Sequence, residues 1–151
     1  MARFSAPKDA VAAVIKLARD CFIFQRRDVS PNIPFAGMLS LFGGAIEHGE
    51  TPDKALKREL NEELTYDFSN TAIKFLGTVH FDFKDLGLGK FHRTYFLIEI
   101  PDSILAKFIV REGLGLKELA FEEIISNKEI VPYDLNFMWF YLNRRLFKIY
   151  S

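Results

Sequence analysis

From Ala10 to Leu17 the chain is rich in Val, Ile and Ala, and after Arg19-Asp20 a second apolar run extends from Cys21 to Gln25. Two short apolar runs joined by a polar pair predict a β-hairpin. Pro31 and Pro34 mark a loop over residues 28–37, and Met38 to Phe42 reads as another short strand ended by Gly43-Gly44. Thr51-Pro52-Asp53 is a helix start, with Thr as N-cap, Pro in the first turn and an acid near the positive end of the helix dipole. Ala55, Leu56, Leu60 and Leu64 then fall on one helical face, so a helix is predicted over 52–64. Residues 73–83 alternate, Thr78, His80 and Asp82 facing one way and Val79, Phe81 and Phe83 the other. A turn at 85–90 and a long strand from Phe91 to Ile100 follow. A simple hairpin would bring His80 and Asp82 near His92 and Thr94. Residues 120–125 predict a short helix and 133–150 a closing one, with Arg144, Arg145 and Lys148 in its last turns.

Composition narrows the function classes. A length of 151 residues suits one mixed α/β domain, expected over 1–151 with residues 1–8 as a flexible lead. Twenty acidic residues balance twenty Lys and Arg, which argues against a surface built for a nucleic-acid polymer or an anionic membrane. The longest apolar runs fall far short of the roughly 20 residues that span a bilayer, and no signal peptide is legible at the start. A lone Cys21 cannot form an internal disulfide, so a cytoplasmic setting is expected. Aromatic residues reach 15%, sixteen of them Phe, which predicts strands that pack large flat side chains.

The chemistry concentrates between Gly43 and Glu63, in GGAIEHGETPDKALKRELNEE. The glycine pair permits a close backbone approach. On the helix Glu59, Glu62 and Glu63 stand at i, i+3 and i+4 and share a face. From Glu47 to Glu63 six acids oppose three bases. Like charges at these spacings repel, and a hard divalent cation with oxygen ligands is the simplest compensation. Phosphoryl chemistry follows from such a cation.

This stretch resembles the Nudix box of the Nudix hydrolases (MutT-like): Gly44, five residues, Glu50, seven residues, Arg58-Glu59-Leu60, one residue, Glu62-Glu63. Seven of its nine specified positions agree; Thr65 stands where the family has Gly, and Tyr66 where it has an aliphatic residue. With Gly absent, the helix is expected to run on and stop near Ser69-Asn70. The resemblance implies a Nudix-type α/β/α sandwich with a mixed β-sheet, the box forming loop–helix–loop. It also implies Mg²⁺, with Mn²⁺ as an alternative, held by Glu59, Glu62, Glu63 and the backbone carbonyl of Gly43.

Glu50 and Arg58 would pair to pin the loop to the helix, the alternative being a surface ion pair. The general base is open among Glu59, Glu112, His80 and His92. Arg26 and Arg27 are candidate phosphate contacts, or a solvated strand end. Phe35 would stack on a base, or tuck into the core. The implied activity is Mg²⁺-dependent pyrophosphohydrolysis of a nucleoside diphosphate linked to another moiety, such as a nucleotide sugar. Two alternatives stand beside it: removal of oxidised nucleoside triphosphates, and a non-catalytic nucleotide-binding regulator. The expected partner is a nucleotide-type small molecule, with neither a nucleic-acid polymer nor a membrane; exposed Phe on a strand would mark a homodimer interface.

Overall fold

The computed structural model describes residues 8–147. Six strands make one mixed sheet: β1 (Ala10–Leu17), β2 (Cys21–Arg26), β3 (Leu39–Ser40), β4 (Ile73–Phe83), β5 (Gly89–Ile100) and β6 (Leu116–Ala120). Hydrogen bonding links them in the order β3-β2-β1-β5-β4, and β6 pairs the edge of β2 opposite β3, so that Gln25 of β2 lies between Ser40 and Leu116. Four helices accompany them: α1 (Pro52–Leu64), α2 (Asp102–Leu105), α3 (Phe121–Ile125) and α4 (Pro132–Leu142). None is long and apolar enough to cross a membrane.

β1 is apolar at successive positions because both of its faces are covered. Val11, Ala13, Ile15 and Leu17 pack with Ala55, Leu56, Leu60 and Leu64 of α1, while Ala12 and Val14 join the core beneath α4 with Phe137 and Met138. Helices therefore cover both faces of the sheet, in an α/β/α sandwich. β1 runs parallel to β5 along its whole length, from Ala10 opposite Arg93 to Leu17 opposite Ile100. On its other edge only Ile15 and Lys16 pair with β2. The earlier half of that edge is taken by the glycine loop, with Ala13 N–H donating to the Phe42 carbonyl (2.8 Å) and Val11 N–H to that of Gly44 (2.9 Å). The glycine loop is thus clamped onto the central strand.

Several predicted boundaries shift. α1 matches 52–64, although the Thr51 hydroxyl makes no capping bond. The helix does not run on to Ser69: Thr65 itself takes the left-handed conformation (φ 48°) and ends it. Its hydroxyl accepts from Arg111 Nε at 2.9 Å, and Tyr66 packs edge-on to Phe68 and Phe108. Of the strand expected over 38–42 only Leu39–Ser40 joins the ladder, because the Leu41 N–H is drawn to the Asp134 carboxylate (2.9 Å). The β4–β5 register sets His80 opposite His92 but Thr94 opposite Thr78 and Asp82 opposite Lys90, past a bulge between Phe75 and Gly77. The closing helix stops at Leu142, where Asn143 bonds back to the Trp139 carbonyl, and a 3-10 turn covers Arg144–Leu146. Lys148, Tyr150 and the predicted lead before Lys8 lie outside the described residues.

Beneath α4, the fully buried Asp134 accepts from Arg93 Nε (2.9 Å) and Nη2 (3.2 Å), from the Leu41 N–H and from the Tyr95 hydroxyl (3.3 Å). Breaking one side of a buried pair strands the other charge in a poorly solvating interior. Asp134→Ala is expected to cost about 3–5 kcal/mol, read as a lowered denaturant midpoint; a cost below about 1 kcal/mol would show that the pair does not hold β5 to α4.

Candidate active site

Three chain segments meet at one end of the sheet. The first is the glycine loop. Gly43 has φ 137°, and a Cβ there would lie 2.2 Å from the Val11 carbonyl oxygen, so no other residue fits without moving β1. A Cβ on Gly44 would lie 2.5 Å from the Glu59 carboxylate. The second segment is α1. The third is residues 109–115, stitched to both the helix end and β2. Ile109 N–H donates to the Leu64 carbonyl (2.9 Å), Arg111 N–H to that of Glu63 (2.8 Å), and Leu114 N–H to that of Arg26 (2.8 Å). Gln25 Nε2 holds the Glu112 carbonyl at 3.1 Å. This stitching carries Glu112 alongside Glu63, though 49 residues separate them in sequence.

Arg58 organises the rim. Its Nε and Nη2 grip both oxygens of Glu50 (2.9 and 3.0 Å), Nη2 also reaches the Ala45 carbonyl (2.9 Å), and Nη1 reaches Glu59 (2.8 Å) and, less closely, Glu62 (3.4 Å). The fork is bidentate and part-buried, unlike an ordinary exposed pair. Arg58 holds the Glu50 carboxyl below its usual range.

The deeper carboxylates behave oppositely. Glu63 is 3% exposed and accepts the Gly43 N–H at 2.9 Å. Burial pushes its pKa up to about 8, with Glu59 and Glu112 adding like charge. Burial also raises Glu59, against the pull of Arg58. Among the described residues no three acidic, His or Cys side chains stand as a closed ion site; Arg58 engages Glu59 and Glu62 while Glu63 turns to Gly43.

Two cavities open here. One of about 170 Å³ is lined by Glu63 and Glu112 together with Gln25, Arg27 and Gly43. The other, about 440 Å³, shares Gln25, Arg27 and Gly43 and continues between Phe35, Phe91, Arg93 and Tyr133. Larger than either is a concavity of about 810 Å³ at the β1–β2 turn, but it holds no carboxylate cluster, and Arg19 there is tied to Asp102 and Glu118. The chemistry lies with the smaller pair.

A model of the NUDIX domain matches residues 6–137. The chain belongs to the Nudix hydrolase family. As a Nudix hydrolase it acts on diphosphate bonds. Solved structures share its fold. The MutT protein from Methanosarcina mazei Go1 superposes with a TM-score of 0.73 at 22% identity, over 95% of this chain and 100% of that one. The E. coli dihydroneopterin triphosphate pyrophosphohydrolase gives 0.73 at 19%, over 93% and 99%. The NUDIX domain of Shewanella oneidensis NrtR, complexed with ADP ribose, gives 0.71 at 19%, over 95% and 91%. Comparison with curated proteins returns no match. Nudix hydrolases generally use divalent cations, and the donor set here fits a hard one: several carboxylate oxygens, crowded and partly desolvated.

The candidate residues separate in space. Arg27 lines both cavities, and its buried Nε has no partner among the described residues. Arg26 points elsewhere, to the Gly37 carbonyl (3.0 Å) and Glu129 (3.3 Å), and ties down the loop between β2 and β3. Phe35, at φ 56°, meets Tyr133 edge-on at 5.9 Å in the larger cavity. His80 and His92 stack on each other at 4.5 Å, with His92 3.1 Å from Asp9, and line neither cavity. Gln25, Arg93 and Tyr133 are the residues that the motif leaves unmarked. A strand Arg flanked by alternate aromatics (Phe91, Arg93, Tyr95) was the one local signal.

The raised Glu63 has a consequence for stability. In the metal-free protein the folded state holds a proton that the unfolded chain releases near pH 4.5. The contribution of this carboxyl to stability is therefore fully present below about pH 4.5 and is lost as pH rises toward about 8. Thermal unfolding in EDTA should show this decline, and Glu63→Gln should flatten it; an unchanged slope in the variant would contradict the burial of this carboxyl.

Proposed function

We propose that this protein hydrolyses a nucleoside diphosphate linked to another moiety, such as a nucleotide sugar, with Mg²⁺ or Mn²⁺ held by Glu59, Glu62, Glu63 and the Gly43 carbonyl. The observation that carries the reading is the junction of the two cavities at Arg27 and Gly43. Carboxylates lie on one side and an aromatic-walled space on the other, of the volume that small-molecule sites take. A diphosphate bridging the two would meet Arg27, which lines both cavities and whose guanidinium suits phosphate oxygens.

The cation, when bound, neutralises charge on the diphosphate and acidifies water. The chain supplies the rest. Arg58 and Glu50 hold the loop so that the Gly43 carbonyl keeps its place. Glu112 is the general base of choice: Glu59 is engaged by Arg58 and packed on Gly44, whereas the Glu112 carboxylate borders the cavity with no side-chain partner among the described residues. Water loses a proton to Glu112 as its oxygen bonds to a diphosphate phosphorus. The bond from that phosphorus to the bridging oxygen breaks, and two phosphate-terminated products leave. The same arrangement accepts a triphosphate, so the moiety beyond the diphosphate is decided by assay. A cytoplasmic location accords with a single, half-buried Cys21.

Glu62→Gln and Glu63→Gln should each lower Mg²⁺-dependent turnover by about a hundredfold or more while circular dichroism stays that of the parent. A panel of nucleotide sugars, dinucleotides and triphosphates, read by phosphate release after phosphatase coupling, identifies the substrate. Undiminished hydrolysis in both variants would sink the site assignment.

A further inference from the structure

The larger cavity carries a second signal, independent of the carboxylates. Arg93 is 7% exposed and stands on β5 between Phe91 and Tyr95, with its guanidinium carbon 5.0 Å from the Tyr133 ring centroid. Its Nε and Nη2 are spent on Asp134, and Nη1 has no partner among the described residues. Asp134 in turn takes four donors on its two oxygens, which exhausts a carboxylate. It has nothing left for a ligand. Among the described residues no acidic side chain lines this cavity, and its charged groups are Lys8, Arg27 and Arg93. Phe35, Phe91 and Tyr133 supply flat apolar surfaces, with Phe91 and Tyr133 edge-to-face at 5.7 Å.

A planar ring entering this space meets aromatic faces and, at Arg93, a donor held rigid by a buried carboxylate. We propose that Arg93 is a specificity-determining residue that selects a base bearing a carbonyl at purine C6 or pyrimidine C4, such as hypoxanthine, guanine or uracil, over its amino counterpart at that position. The carbonyl oxygen accepts from Nη1, as guanidinium groups bind the O6 edge of guanine. An exocyclic amino group of adenine or cytosine would set donor against donor in a site with little water, which costs a buried hydrogen bond on each side. The inference rests on the larger cavity being the nucleoside end of the site proposed above.

The test needs no turnover. Calorimetric binding to the full chain with Mg²⁺ compares the α,β-methylene diphosphates of inosine and adenosine, and of uridine and cytidine, whose bridging carbon resists hydrolysis. Inosine and uridine, with a carbonyl where adenosine and cytidine carry an amino group, should bind about tenfold more tightly or better. Arg93→Lys keeps a cation beside Asp134 and should shrink that preference to about twofold. Equal affinities, an amino-base preference, or failure of all four ligands to bind would overturn the proposal, as would a folded Lys variant that keeps the full preference. Should the variant not fold, the ligand pairs on the parent protein decide alone. A base preference without any diphosphate cleavage would sink the hydrolytic reading and leave this one standing; equal cleavage of inosine and adenosine derivatives would do the reverse.

Discussion

The Glu63 carboxylate is held out of water at the point where the glycine loop, the end of α1 and the segment 109–115 cross. Its side chain takes the Gly43 N–H, and its own carbonyl takes the Arg111 N–H. One residue therefore fastens both neighbours of the helix, and Glu112 reaches the site because of it. The arrangement is expensive: desolvation raises Glu63, and two further carboxylates add repulsion. A cation with oxygen preferences would offset that repulsion, so residues that look like a defect in a folding context make sense as the proposed binding site.

The opposite face of the sheet supplies rigidity of another kind. Asp134 at the first turn of α4 links β5, the residue following β3, and the helix through hydrogen bonds that leave it no spare capacity. The pair thereby holds in place the Arg93 side chain that lines the larger cavity. The two faces of the sheet have separate cores, and each contributes one polar anchor: Glu63 at the carboxylate-lined cavity, Asp134 beside the aromatic-walled one. Gln25, Arg27 and Gly43 belong to both cavities.

Much of this was legible in the chain. The bounds of α1 follow from Thr51-Pro52 and a four-residue apolar spacing, and the strands from alternation and turn chemistry. The Glu50–Arg58 pairing is local, eight residues apart, and a motif with fixed spacing suffices to find it. What escaped was set by long-range packing. Periodicity cannot tell that β1 lies parallel to β5, nor that Arg26 and Arg27, adjacent in sequence, leave their strand toward different neighbours. Thr65 was expected to let α1 continue because a β-branched residue disfavours the left-handed region; the Arg111 contact and the packing of Tyr66 hold it there instead. Arg93 and Asp134 lie 41 residues apart and become a pair only once α4 docks on the sheet.

The central claim is that Glu63 and its neighbours form a divalent-cation site. Titrating Mn²⁺ into the parent protein and into Glu63→Gln, with free Mn²⁺ followed by electron paramagnetic resonance, tests it most directly. Saturable binding in the parent that weakens by about tenfold or more in the variant is the result the account predicts. Equal binding in the two proteins, or none in the parent, would contradict it.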